Sequence, residues 1–147
     1  MVRALLRFGS GDFDLLEILR RGPDAWNQWR EKNPNQEINL SGADLSGANL
    51  HSADLHNAKL SSAKLNGADL RSADLSDAKL NDANLTRAKL SSAKLNNANL
   101  VGANLFGAHL FNTDFTNVNL RRAELFGAIV FEETKIDPKW LPKPHPR

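Results

Sequence analysis

The chain has no cysteine, so it can form neither a disulfide framework nor a thiolate metal site. It lacks charge of one sign: 19 Lys and Arg stand against 17 Asp and Glu, a formal net charge of +2 over 147 residues. That balance argues against a strong nucleic-acid binder and against a strongly acidic decoy. No apolar run approaches the ~20 residues of a membrane span. Near the start, Ala4, Leu5 and Leu6 are apolar, but Arg3 and Arg7 break the run before it reaches the length of a signal-peptide core. The reading from these absences is a cytoplasmic protein that neither contacts membrane nor binds nucleic acid. Also missing are a glycine-rich phosphate loop, a nucleophile elbow and zinc-ligand spacing. No enzyme chemistry, cofactor or metal is expected.

What the chain does have is one five-residue phrase repeated eighteen times from Ser41 to Val130. The last position is leucine in sixteen copies, with Phe115 and Val130 the exceptions. The middle position is alanine in sixteen, with Thr113 and Val118 the exceptions. A fixed short period is the mark of a solenoid. An α-helix cannot bury these leucines, because five residues advance about 140° beyond a full turn and scatter them around the axis. A straight strand fails too, since an odd period throws successive leucines to opposite faces. A coil with corners succeeds. Each phrase supplies a very short extended segment with Ala and Leu both pointing inward, and a turn then resets the direction. The second residue after each leucine is Gly in six phrases, Asn in four, Ser in four, Asp in two and Arg in two. Gly and Asn tolerate positive φ, and Ser and Asp bond local backbone, so these positions are read as the corners.

The phrase A-(D/N/K)-L-x-x, running without a gap, resembles the pentapeptide-repeat proteins over Ile38 to Val130. The segment Trp26–Arg30, WNQWR, is similar to the N-terminal segments of cyanobacterial members. The resemblance implies an all-β solenoid: a right-handed, quadrilateral parallel β-helix with four phrases per coil, here with a short N-terminal α-helical cap. Residues twenty apart then stack. Nineteen phrases, counting Gln36–Leu40, make 4.75 coils, a tower about 23 Å tall at ~4.8 Å per strand. One inward column is Leu40, Leu60, Leu80, Leu100 and Leu120; another is Leu55, Leu75, Leu95 and Phe115. Phe115, with Thr113 beside it, is expected to mark a widened or bulged region.

Three parts follow: residues 1–35 as a helical capping segment, 36–131 as the β-helix, and 132–147 as a proline-rich tail. Asp12 is expected to cap a helix from Phe13 to Arg21, ended by Gly22-Pro23. A second helix runs from Asp24 to Lys32 with Trp26 and Trp29 on one face. The plainer reading of this pair is a lid on the first coil; the alternative is a partner-docking surface. The tail, with Trp140 and Leu141 as its apolar pair, is expected to be irregular, either folded back on the last coil or loose.

On the outer surface, the residue before each leucine should stack with its neighbour in the next coil. Asp44 then meets Lys64, Asp69 meets Lys89, and Lys94 lies between Asp74 and Asp114, while Lys59 and Lys79 form a like pair. Opposite-charge neighbours of this kind contribute about 0.2–1 kcal/mol each. The repeats carry five Lys and four Arg against seven Asp and one Glu, a net +1. His51 and His56 sit in turn positions and lack a third metal ligand. The position after each leucine changes from polar early in the chain to Val101, Phe106, Phe111, Phe126 and Phe131 late. Phe106 should stack on Phe126, and Phe111 on Phe131. Two such aromatic columns mark a candidate interface with a second copy or another protein, unless the tail covers them. The leading functional reading is therefore a non-enzymatic scaffold for an unidentified protein partner or for self-association. The family resemblance supplies an alternative, a duplex-DNA mimic that engages type II topoisomerases, which the near-neutral tower disfavours.

Overall fold

The structure is a computed structural model that describes residues 5–8 and 11–141, with side chains from residue 14 onward. Strands β1 (Leu5–Phe8) and β2 (Gly11–Asp14) form an antiparallel hairpin. Helices α1 (Leu15–Arg20) and α2 (Pro23–Lys32) follow. The expected helix start at Asp12 is thus corrected. Residues 12 and 13 are extended, and Asp14 is the cap, its Oδ1 accepting the Leu16 N–H at 3.0 Å. α1 is short because Gly22, at φ +103°, ends it, and Pro23 opens α2 at a position where its missing N–H costs nothing.

From Asn39 onward each phrase meets the phrase twenty residues later through one parallel bridge, the first being Asn39 with Lys59. Four phrases therefore make one coil. Bridges of one residue, rather than continuous strands, are what a five-residue phrase permits, since two of its residues are spent on the turn. The ladder is nevertheless dense. In a middle phrase Leu60 N–H donates to Lys79 C=O (2.7 Å), Ser62 N–H to Asn81 C=O (2.9 Å), and Lys59 N–H to Ile38 C=O (2.8 Å). A fourth bond, Ala63 N–H to Leu60 C=O at 3.0 Å, closes the corner. Every one of the eighteen corner residues has positive φ, twelve of them non-glycine, including Arg87 and Arg122. The period thus overrides residue preference at the corners.

The Asp and Asn residues before the leucines have a role beyond facing solvent. Their side chains accept the N–H of the first corner residue, as in Asn39 to Ser41 (3.2 Å), Asn84 to Thr86 (3.0 Å) and Asn104 to Phe106 (2.9 Å). That N–H has no place in the inter-coil ladder, so the side chain satisfies it locally.

The leucines of the tower and all its alanines but Ala48, Ala123 and Ala128, which are half-buried near the two ends, are buried and form one continuous core with Leu15, Leu16, Leu19 and Trp26 of the two helices. Each leucine so buried stabilises the fold by about 1.5–3 kcal/mol before chain ordering is counted. Thr113, in an alanine position, is fully buried, and its Oγ1 donates to Leu90 C=O at 2.8 Å. The expected end of the coil at residue 131 moves to Lys135, which bridges Asp114 across twenty-one residues. Thr134-Lys135-Ile136 repeats the Ala-x-Leu pattern one residue late. Thr134 is buried, and its Oγ1 donates to Leu110 C=O at 2.5 Å. The phrase of Thr113 and Phe115, expected to be widened or bulged, keeps its twenty-residue bridge from Lys94 to Asp114; the one-residue insertion falls in the next coil, ahead of Thr134. Pro138–Trp140 then form a single 3₁₀ turn, and Trp140 packs against the core. Residues 142–147 of the expected tail lie outside the described residues.

Candidate interaction surface

The wall that ends in Ile129 is bounded by two corners. Its central column reads Asn49, Asp69, Lys89, His109 and Ile129, joined by parallel bridges. One corner column carries Phe106 and Phe126, whose rings stack with centroids 5.9 Å apart at 25°. The other carries Phe111 and Phe131, which meet edge to face at 5.5 Å and 79°. Both pairs form as the twenty-residue stacking requires. Phe106 is 39%, Phe111 45%, Phe126 69% and Phe131 52% exposed. The tail as far as Leu141 does not cover them. Sequence reasoning missed Ile129, which is 44% exposed between the two corners. Its signal was an isoleucine in a slot that otherwise holds Asp, Asn, Lys, His or Glu. The second corner residues beneath the first pair are Gly107 and Gly127, both with positive φ, so no Cβ stands beside these rings.

Charge pairing on the walls differs from expectation. Lys94 lies 3.9 Å from Asp74, but Asp114 pairs with Lys135 (3.7 Å) rather than with Lys94. Asp69 turns to Arg71 at 2.6 Å instead of to Lys89, because the corner two residues away offers a donor that needs no long side chain ordered across coils. Its hydrogen bonds from Arg71 hold the Asp69 carboxyl below the usual range. Asp44 and Lys64 are bridged through backbone but form no ion pair within 4.0 Å, since the Asp44 carboxylate is taken by Ser46.

At the other end of the tower α2 meets the first coil through polar side chains. Trp26 Nε1 donates to Asp54 C=O (2.7 Å), Asn27 Oδ1 accepts the Asp54 N–H (2.8 Å), and Asn27 Nδ2 donates to Ser52 C=O (2.9 Å). His56, at its turn position, belongs to a polar cluster at the edge of α2. Its Nδ1 hydrogen-bonds Asp54 Oδ1, and Arg30 Nη2 lies 3.1 Å from Nδ1 and 3.2 Å from Nε2. Arg30 is almost wholly buried, with Nε 3.4 Å from Asp54 Oδ2. Burial pushes the Asp54 carboxyl up, but the His56 hydrogen bond and the Arg30 charge outweigh it and leave it below its ordinary value. This cluster ties α2 to the coil and leaves no free acid–base pair.

Among the described residues no group of three or more His, Cys, Asp or Glu could hold a metal ion. No described helix is long and apolar enough to cross a membrane. A cleft of about 270 Å³ lies between the end of α1 and the Asp44–Asn49 edge, and another of about 340 Å³ lies beside Arg30, His56 and Lys59. Both are shallow surface features outside the filled tube. The physical candidate for function is the aromatic wall.

The Pentapeptide repeats family matches in 8 copies over residues 36–67, 68–105 and 103–130. The chain is similar to the crystal structure of the pentapeptide repeat protein Rfr23 from the cyanobacterium Cyanothece 51142, with 42% identity and a TM-score of 0.63, covering 64% of this chain and 64% of that one. It is also similar to HetL of Nostoc sp. strain PCC 7120, a pentapeptide repeat protein involved in heterocyst differentiation regulation, at 35% identity and a TM-score of 0.38, over 61% of this chain and 48% of that one. A third likeness is to alr5209, also from Nostoc PCC 7120, at 31% identity and a TM-score of 0.45, over 68% of this chain and 87% of that one. The chain thus spans less than two thirds of the length of the first two. No curated protein matches it. With the family matched across the repeats and the twenty-residue ladder formed, this chain belongs to the pentapeptide-repeat family.

Proposed function

We propose that this chain is a non-enzymatic scaffold that binds a protein partner through the C-terminal half of one wall. The observation that carries the reading is the row of five exposed apolar side chains, Phe106, Phe111, Phe126, Ile129 and Phe131. Patches of this kind on a soluble fold are usually interaction sites. A column filled by leucine and alanine supports the non-enzymatic part, because it leaves no internal space for a substrate. We read the coil as right-handed and four-sided, supported by the likeness to the cyanobacterial structure at 42% identity. A duplex-DNA mimic fits poorly, since the repeats carry a net +1 where mimicry needs a strongly negative surface.

The test compares the immobilised full chain with the Phe126→Ser/Phe131→Ser double variant as bait. One protein retained in stoichiometric amount by the first and lost from the second supports the reading. A variant that retains everything the wild type does refutes it.

A further inference from the structure

We infer that the occupant of the aromatic wall is a second copy of this chain, packed wall to wall with the two towers antiparallel. This rests on the reading of the wall as an interface and names its partner.

Three observations select a copy. First, the upper wall offers almost nothing charged to specify a different partner. Its corners are Phe-Gly, Phe-Gly and Phe-Asn, ending at Phe131-Glu132, and its centre is His109 below Ile129. Such a surface meets itself without like-charge repulsion. Second, the area suffices. At their observed exposures the four phenylalanines alone leave about 300–500 Å² of aromatic surface on one wall. Two copies therefore bury about 600–1,000 Å² from these rings, and Ile129, His109 and the corner glycines bring the total to the ~1,200 Å² at which specific interfaces begin. Third, charge lower on the same wall sets the orientation. Lys89 and Asp69 continue the central column. In a parallel pair each would face its own counterpart, a like-charge contact. Turning one tower over removes both contacts, because only the upper two coils then overlap. Phe106 meets the partner's Phe126, Phe111 meets the partner's Phe131, and Ile129 meets the partner's His109. This is a closed two-fold contact, the same patch on both copies.

The chain has no cysteine, so single cysteines report proximity without background. Sedimentation equilibrium of the full chain should show a dimer, and Phe126→Ser/Phe131→Ser should raise its dissociation constant at least about tenfold. Under a short bis-maleimide, Ile129→Cys should give a covalent dimer. Asn49→Cys, four coils lower on the same wall and about 19 Å away, should give no covalent dimer. A circular-dichroism melt of each variant shows that it has folded. A wild-type chain that sediments as a monomer throughout, or cysteines at 49 and 129 that cross-link equally fast, overturns the assignment. A monomer that still retains a different protein through the same wall removes the second copy and leaves the scaffold reading standing.

Discussion

The Trp26 indole N–H donates to the Asp54 carbonyl at 2.7 Å, in the place where a leucine N–H from a lower coil would stand. One coil up, Leu55 N–H makes the equivalent bond to Asp74 C=O at 2.8 Å. Asn27 completes the substitution. Its Oδ1 takes the Asp54 N–H, which in the next coil goes from Asp74 to Ala53 C=O at 3.0 Å. Arg30 Nη2, 3.4 Å from His56 C=O, occupies the position of a corner N–H. Side chains of α2 thus reproduce the bonding edge of a coil that is not there, on one wall.

Trp26→Phe keeps the ring packing and removes the donor, leaving the Asp54 carbonyl with no partner. It should cost about 1–3 kcal/mol in chemical denaturation. Asn27→Leu removes a donor and an acceptor together and should cost at least as much, whereas Gln28→Ala, on the other side of the helix, should stay within about 0.5 kcal/mol.

In the middle of the column, Leu75→Ala should cost about 2–5 kcal/mol through the cavity it leaves. Leu75→Asp should prevent folding, because the tube offers no partner for a buried charge. Far-UV circular dichroism and a denaturant titration separate the two.

Corner strain gives a ranking. Arg87 has φ +55°. Arg87→Gly should hold or raise stability, and Arg87→Val should lower it, a β-branched residue being least tolerant of this backbone, with a spread of about 1–3 kcal/mol between the two. Thermal midpoints in that order support the strain account; identical midpoints refute it.

Asp54 supplies a pH dependence. Its carboxyl is depressed in the folded chain, so its contribution to stability is present above the unfolded value of about 3.9 and is lost as pH falls through the folded value. Wild type should therefore lose stability below about pH 4 more steeply than Asp54→Asn. The comparison is made by denaturant midpoints across that range, and parallel curves would refute it.

Where the repeat ran, the sequence was transparent. Leu and Ala inside, a corner every five residues and the stacking of Phe106 on Phe126 all follow from one period. The parts that stayed hidden are those the period does not govern. The hairpin of β1 and β2 had a sequence signal, the dipeptide Gly9-Ser10 between two short apolar runs, that was passed over in favour of a helix, and Asp12 and Asp14 both look like caps until tertiary contacts choose between them. His56 looked like any exposed turn residue, because the groups that enclose it come from α2, 26 residues earlier. The preference for Asp or Asn before leucine was visible, but its cause, an orphan corner N–H, needed the bonding pattern of the whole coil. The extra residue ahead of Thr134 disguised one further phrase as tail.

That extra residue shows what the column tolerates. Between Ile129 and Lys135 the count slips by one, yet Lys135 still bridges Asp114 and Thr134 still turns inward. The surplus amino acid is absorbed at a corner, and the ladder resumes on its far side. An outer edge of the tower can therefore lengthen by a residue without unseating the storey that follows it.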